Sequence, residues 1–250
     1  MILMAAAVNT TITRETIKRL AKDVREIMKN PLEEHGIYYF HNETDMLKGQ
    51  ALIIGPKDTP YENGYYFFEL EFPPDYPHRP PTVTYCTNDG MTRFNPNLYK
   101  SGKVCISVLN TWRGEQWTAC QTISSILLVL CTTLNNKPLL NEPGVKENHR
   151  DYSSYEQIIT YKNFRIAILE MLNGNMVKRK FPLFSETIEN NFINNYGDIM
   201  KNLDTSRIED TTLRTSLYNM TVNINYSKTE EHLRIIYEKI KLRKDNKDII

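Results

Sequence analysis

Apolar and polar positions alternate with two different periods along this chain. Residues 13–29, T-R-E-T-I-K-R-L-A-K-D-V-R-E-I-M-K, repeat apolar side chains at Ile17, Leu20, Val24 and Ile27. Steps of three and four put those residues on one stripe of an amphipathic helix. Thr13, with Glu15 and Thr16 behind it, supplies a cap and an acidic first turn, and Asn30-Pro31 stops the helix. Runs rich in aromatic and β-branched residues follow at Gly36–His41, Leu47–Ile54, Tyr65–Phe72 and Thr82–Tyr85. These read as strands. The stretch G-P-K-D-T-P-Y-E-N-G, residues 55–64, is a turn between the second and third. F-P-P-D-Y-P-H-R-P-P, residues 72–81, holds five prolines in ten positions. Proline has no amide hydrogen to donate, so this segment is a rigid exposed connection and not a central strand. Short links between consecutive strands predict a four-stranded antiparallel meander with helices on one side, an α+β fold.

Residues 86–120 carry no regular period, and a long irregular loop inside a compact unit is usually functional. Helical spacing returns at Thr122–Leu134, where Ile123, Ile126, Leu127, Leu130 and Leu134 form the expected buried face. Cys131 adjoins that face as a small core hydrophobe. From Tyr152 the pattern is helical as far as Asn173-Gly174. Further helices are expected over Ser185–Met200, Thr211–Met220 and Thr229–Arg243. The chain thus divides into a mixed unit at 12–173 and a helical extension at 174–250.

Composition narrows the classes. The 250 residues are 40% hydrophobic and 24% charged, too apolar for a disordered chain. A net charge of +1 suggests neither a nucleic-acid carrier nor an acidic substrate. Cys86, Cys105, Cys120 and Cys131 form no C-x-x-C pair, which argues against a zinc ribbon or a secreted disulfide scaffold. The opening M-I-L-M-A-A-A-V, and I-L-L-V-L-C at 126–131, are too short for a membrane span, and no basic residue precedes the first. A reducing compartment, cytoplasmic or nuclear, is expected, with no membrane or nucleic-acid partner. S-G-K-V at 101–104 is no P-loop, and G-x-G-x-x-G, H-E-x-x-H and G-x-S-x-G are absent. His35, His41, His78, His149 and His232 lack metal-ligand spacing.

One constellation remains. In F-N-P-N-L-Y-K-S-G-K-V-C-I-S-V-L, residues 94–109, a turn fixed by Pro96 carries two asparagines, and Asn97 stands eight positions before Cys105. An asparagine amide held near a sulfur is what a tetrahedral acyl intermediate needs, because charge develops on oxygen in the transition state. A cysteine thioester leaves readily and suits acyl carriage. The residues alone leave two readings open, an acyl carrier and a core cysteine after a turn. On the first helix Arg14, Lys18, Lys22 and Arg25, with Arg19 beside them, form a basic stripe that is either a solvated face or a docking surface.

Four motifs in order decide between these readings: G-P-x-x-T-P-Y-x-x-G, F-P-x-x-Y-P-x-x-P-P, N-P-N-x-Y-x-x-G-x-V-C-I-S and W-T-A-C-Q-T-I. Together they resemble the ubiquitin-conjugating enzymes over about 160 residues. The insert T-W-R-G-E-Q-W at 111–117 and N-E-P-G at 141–144 resemble a large-insert, C-terminally extended subgroup. The resemblance implies a catalytic core at 12–173 in which Cys105 accepts ubiquitin or a ubiquitin-like modifier from an activating enzyme and yields it to a lysine amine of a protein substrate. It implies a monomer with no cofactor bound directly, since ATP is used by the activating enzyme. Asn97 matches the last residue of the family's His-Pro-Asn turn and would stabilise the oxyanion or brace the loop that does so. Pro96 would keep that turn rigid. Asn95 takes the histidine's place, which implies retained activity with a differently braced turn. Tyr99 matches an aromatic lining the lysine's path. Glu142 falls at a gate position where a carboxylate orients the lysine and accepts or guides its proton.

In this family the first helix meets the activating enzyme, so Arg14, Lys18, Arg19 and Lys22 would steer encounter. Ligases grip the same helix and two loops. Here His78 stands where Phe is frequent, and Thr118-Ala119-Cys120 replaces Ser-Pro-Ala, which puts standard ligase pairing in question. A cysteine hydrolase using Cys105 with His149 or His78, and a silent variant that only binds ubiquitin, are the competing readings. The whole reading expects the Cys105 sulfur in a shallow groove without a strong base, with the Asn97 carboxamide directed at it.

Overall fold

Thr13 accepts the Thr16 amide and caps helix α1, Arg14–Lys29, in a computed structural model that describes residues 11–246. The apolar run at residues 1–8 lies outside the described residues. Leu20 and Ile27 of the expected stripe are buried and Val24 is half-buried, but Ile17 is 43% exposed. Thr16 and Asp23 are buried in its stead. The reason is polar pairing with the proline-rich connection. The Thr16 hydroxyl donates to the Pro74 carbonyl at 2.7 Å, and the Tyr76 hydroxyl donates to Asp23 at 2.6 Å. Arg19 Nε donates to the other Asp23 oxygen at 2.8 Å. Satisfied polar groups can be buried at little net cost, which an apolar stripe cannot foresee.

Strands β1 (Ile37–His41), β2 (Lys48–Ile54), β3 (Tyr65–Glu71) and β4 (Thr82–Tyr85) form one antiparallel sheet in chain order, the expected meander. Gly55 and Gly64 close the turn between β2 and β3, with the Gly55 amide donating to the Gly64 carbonyl at 2.8 Å. A Cβ on Gly55 would lie 1.7 Å from the Tyr61 carbonyl oxygen, so only glycine fits there.

Side chains alternate across a strand, and β3 shows what each face meets. On one face Tyr66 packs edge-on against Tyr61 and Phe94, and its hydroxyl donates to Asn163 at 2.7 Å. On the other Phe67 packs against Phe181 and Phe184, with centroids 4.7 and 5.8 Å away, and Tyr65 donates to Asn191 at 3.2 Å. Phe40 of β1 meets Phe184 at 4.8 Å, and Gln50 of β2 donates to the Lys180 carbonyl at 2.7 Å. The expectation of helices on one side is therefore corrected. Both faces are covered, which is why Y-Y-F-F runs apolar without alternation.

Helix α2, Ile123–Thr133, opens on a capping box between Thr122 and Ser125, and its five expected apolar residues are all buried. Helix α3, Tyr152–Lys162, continues through a π-helical stretch at Asn163–Glu170 into α4, Met171–Asn173. After Gly174 come α5 (Asn175–Lys180), α6 (Ser185–Asn194), α7 (Tyr196–Thr205) and α8 (Tyr226–Asp245). The single helix expected at Ser185–Met200 is thus two, broken at Asn195. The helix expected at Thr211–Met220 is a β-hairpin, β5 (Thr211–Thr215) paired with β6 (Met220–Ile224). Leu213, Leu217 and Met220 fall at helical spacing, but burial over Met220–Ile224 alternates with period two and the segment is rich in threonine. The buried apolar residues of 12–173 and of the extension form one continuous core.

Candidate active site

The site is built from a buried carboxamide outward. Tyr61, fully buried by the glycine-closed turn, donates its hydroxyl to the Phe94 carbonyl at 2.7 Å. That hydroxyl oxygen accepts Asn95 Nδ2 at 2.8 Å. Asn95 Nδ2 also donates to the Thr133 carbonyl at the end of α2, at 2.8 Å. Asn95 Oδ1 accepts the Asn97 amide at 2.9 Å and Asn141 Nδ2 at 3.2 Å. All four hydrogen-bonding positions of this fully buried side chain are filled. Asn95 ties the turn to α2, to Tyr61 and to the segment that carries Glu142.

Pro96 is buried, and Asn97 is clamped to Cys105 in both directions. The Cys105 amide donates to the Asn97 carbonyl at 2.8 Å, and Asn97 Nδ2 donates to the Cys105 carbonyl at 2.7 Å. The expectation that the carboxamide is directed at the sulfur is corrected: its hydrogen bond goes to the main-chain carbonyl of Cys105, the acceptor nearest to it across the clamp. The shallow groove expected around the cysteine is corrected: Cys105 is only 2% exposed, between the buried Leu98, Val104 and Ile106. Thr111 fixes the chain beyond it by accepting the Ile106 amide at 3.0 Å and donating to the Val104 carbonyl at 3.1 Å. From there the 111–117 insert runs back to the proline-rich connection, where Trp117 Nε1 donates to the Pro77 carbonyl at 2.7 Å.

Arg93 underpins the turn. It is 8% exposed, donates to the Asn95 and Pro96 carbonyls, and lies 3.2 Å from the Tyr99 ring centroid and 5.0 Å from that of Tyr218. Tyr99 is half-buried beneath that cation. Glu142 is half-exposed, and its carboxylate accepts the Tyr218 hydroxyl at 2.5 Å. Burial, then this bond, hold the Tyr218 phenol above its ordinary range, so it stays a donor. Lys100 Nζ donates to the Tyr218 carbonyl at 2.7 Å, and burial, then the Arg93 charge, lower its ammonium below the usual range. His78 pairs with Glu15 at 3.1 Å, and His149 Nδ1 accepts the Asp151 amide at 3.1 Å. Neither histidine is hydrogen-bonded to Cys105, which removes geometric support for a hydrolase.

Arg14, Lys18 and Lys22 are exposed on α1, as are His78, Thr118 and Ala119 on the two loops beside it. Arg19 departs from its expected role at a docking surface. Besides Asp23 it donates to the Ala119 and Gln121 carbonyls, so it works as an internal brace joining α1 to the 118–121 loop.

Comparison with known proteins places the sequence in one family. A family model described as "Ubiquitin-conjugating enzyme" matches residues 19–163. Proteins named Ubiquitin-conjugating enzyme E2 Z from Xenopus tropicalis and Homo sapiens are each 39% identical, over 169 and 163 residues. Those alignments take in 66% and 64% of this chain and 53% and 46% of the relatives. The chain therefore spans about half the length of the curated relatives it matches. The solved structure of human Ubiquitin-conjugating enzyme E2 G1 is 34% identical with a TM-score of 0.42, covering 48% of this chain and 94% of that one. The chain belongs to the ubiquitin-conjugating enzyme family and is similar to its Z type.

Sequence reasoning missed Tyr61, Arg93, Asn141 and Tyr218. Tyr61 stands inside a quoted motif, and Arg93 directly precedes F-N-P-N, so both lay within sight. Tyr218 is 76 positions from Glu142 and has no local signal. Asn95→Ala leaves the buried Asn97 amide without its partner and removes one of the partners of Tyr61, Thr133 and Asn141. We expect a loss of about 2–4 kcal/mol of stability, read as a lower urea midpoint with an unchanged slope. A midpoint equal to that of the parent chain would refute the bracing role.

Proposed function

We propose that the protein carries ubiquitin or a ubiquitin-like modifier as a thioester on Cys105 and passes it to a lysine. The Cys105 sulfur attacks the thioester carbonyl held by the activating enzyme, a new carbon–sulfur bond forms, and the activating enzyme's thiol leaves with a proton. The lysine Nζ then attacks the same carbonyl, the amide forms, and Cys105 departs as the leaving group. ATP is consumed only by the activating enzyme, and no cofactor is needed here. The observation that carries the reading is the two-way clamp of Asn97 on Cys105 within the N-P-N turn. Of the two roles open to Asn97, bracing is the one its hydrogen bond supports. Cys105 as a whole residue keeps 2% of its surface exposed, so the approach to it is narrow.

Aminolysis of a thioester needs a desolvated neutral amine, and a strong base nearby would activate water and waste the intermediate. A half-exposed carboxylate at Glu142 can orient the amine and take up or guide its proton without that penalty. Tyr99 lines the same approach. The activating enzyme would be steered by Arg14, Lys18 and Lys22, and ligases would meet His78, Thr118 and Ala119. The protein acts as a monomer in the cytoplasm or nucleus, on protein substrates.

Incubation with activating enzyme, ATP and ubiquitin should give an adduct that reductant removes, and Cys105→Ala should abolish it. No adduct with ubiquitin or any ubiquitin-like modifier sinks the proposal. Reversing Lys18 and Lys22 to Glu should slow charging about tenfold at low salt, with the gap closing at ionic strengths well above ~0.1 M. A rate that is the same at low salt would make the stripe a merely solvated face. Glu142→Ala should slow discharge to free lysine roughly 10- to 100-fold and leave charging nearly intact. Equal loss of both steps would contradict the gate.

A further inference from the structure

We propose that Tyr218, at the tip of the β5–β6 hairpin, is a positioning residue for transfer to the acceptor lysine, holding one oxygen of Glu142 so that the other faces the incoming amine. The proposal rests on the thioester reading and adds to the site a residue from outside the segment matched by the family model, which ends at 163.

Three observations carry it. The first is the contact itself. The Tyr218 hydroxyl donates to Glu142 Oε2 at 2.5 Å, and among the described residues no side chain is hydrogen-bonded to Oε1. Glu142 remains half-exposed, so the second oxygen is open to a ligand from solvent. A charge-assisted bond of this length fixes a carboxylate's orientation more firmly than a neutral pair does.

The second is backbone strain. Tyr218 has φ 63° and ψ 3°, and Asn219 follows with φ 48°. Consecutive left-handed residues at a hairpin tip normally call for glycine or asparagine, and a tyrosine there is disfavoured. Such strain persists only where surrounding contacts over-determine it, and it gathers at functional sites.

The third is the anchoring of the tip. Lys100 Nζ donates to the Tyr218 carbonyl at 2.7 Å, and the Leu217 amide donates to Asp151 at 2.8 Å. The Tyr218 ring packs against Tyr155, with centroids 5.9 Å apart, and lies 5.0 Å from the Arg93 guanidinium. Lys100 belongs to the segment between Asn97 and Cys105, so the extension grips the candidate site from both of its sides, at Lys100 and at Glu142.

Tyr218→Phe keeps the ring and its packing and removes only the hydroxyl. Each variant is charged with ubiquitin, the charged fraction is measured, and single-turnover discharge to free lysine is followed across lysine concentrations. Tyr218→Phe should raise the lysine concentration for half-maximal rate five- to tenfold. In a Glu142→Ala background the same change should shift it by less than twofold, because the group being positioned is gone. An unchanged value in the parent background, or an equal shift in both backgrounds, overturns the positioning role while leaving the thioester reading standing. Absence of a reductant-sensitive adduct on the parent chain overturns both.

Discussion

The carboxamide of Asn95 is the joint on which the site depends. It has no exposed surface, and each of its donors and acceptors is taken by a different part of the chain. Because a buried polar group left unmatched is costly, these partners constrain one another, and the network behaves as a unit. Through it the end of α2, the turn between β2 and β3, and the segment bearing Glu142 are all referred to the position of Asn97. Asn97 in turn is clamped on Cys105. An imidazole in the same place has two nitrogens and could not serve four partners at once. Asparagine therefore gives the N-P-N turn a brace that a histidine could not supply.

The extension is a second constraint on that architecture. Phe181 and Phe184 cover the sheet face that the first part of the chain leaves bare, and the hairpin tip reaches Glu142. A single core runs through both parts. Packing of this kind couples the placement of a distal hairpin to the sheet beneath the helices, so the extension shares in setting the site's geometry.

Much of this was legible in the residues and some was not, for separable reasons. The four strands follow from composition and turn signals, and the helices α1 and α2 follow from period, with Thr13 also declaring the start of α1 chemically. The N-P-N turn and Cys105 could be paired by spacing because their contact is local. Ile17 departs from the expected stripe because helical periodicity ranks apolarity and cannot see that Asp23 and Thr16 have partners in the proline-rich connection. Arg19 departs from the basic stripe because its partners, the Ala119 and Gln121 carbonyls, lie about a hundred positions away. The β5–β6 hairpin was misread because leucines at helical intervals outweighed a threonine-rich background. The concealment of Cys105 and the contact of Tyr218 with Glu142 are tertiary facts, fixed by segments far apart in the chain.

The near-complete enclosure of Cys105 has a chemical corollary. With 2% of the residue's surface exposed, Cys105 is approached through a narrow opening, so steric access as well as intrinsic nucleophilicity sets how readily a peroxide, an alkylating agent or a stray thiol reaches it.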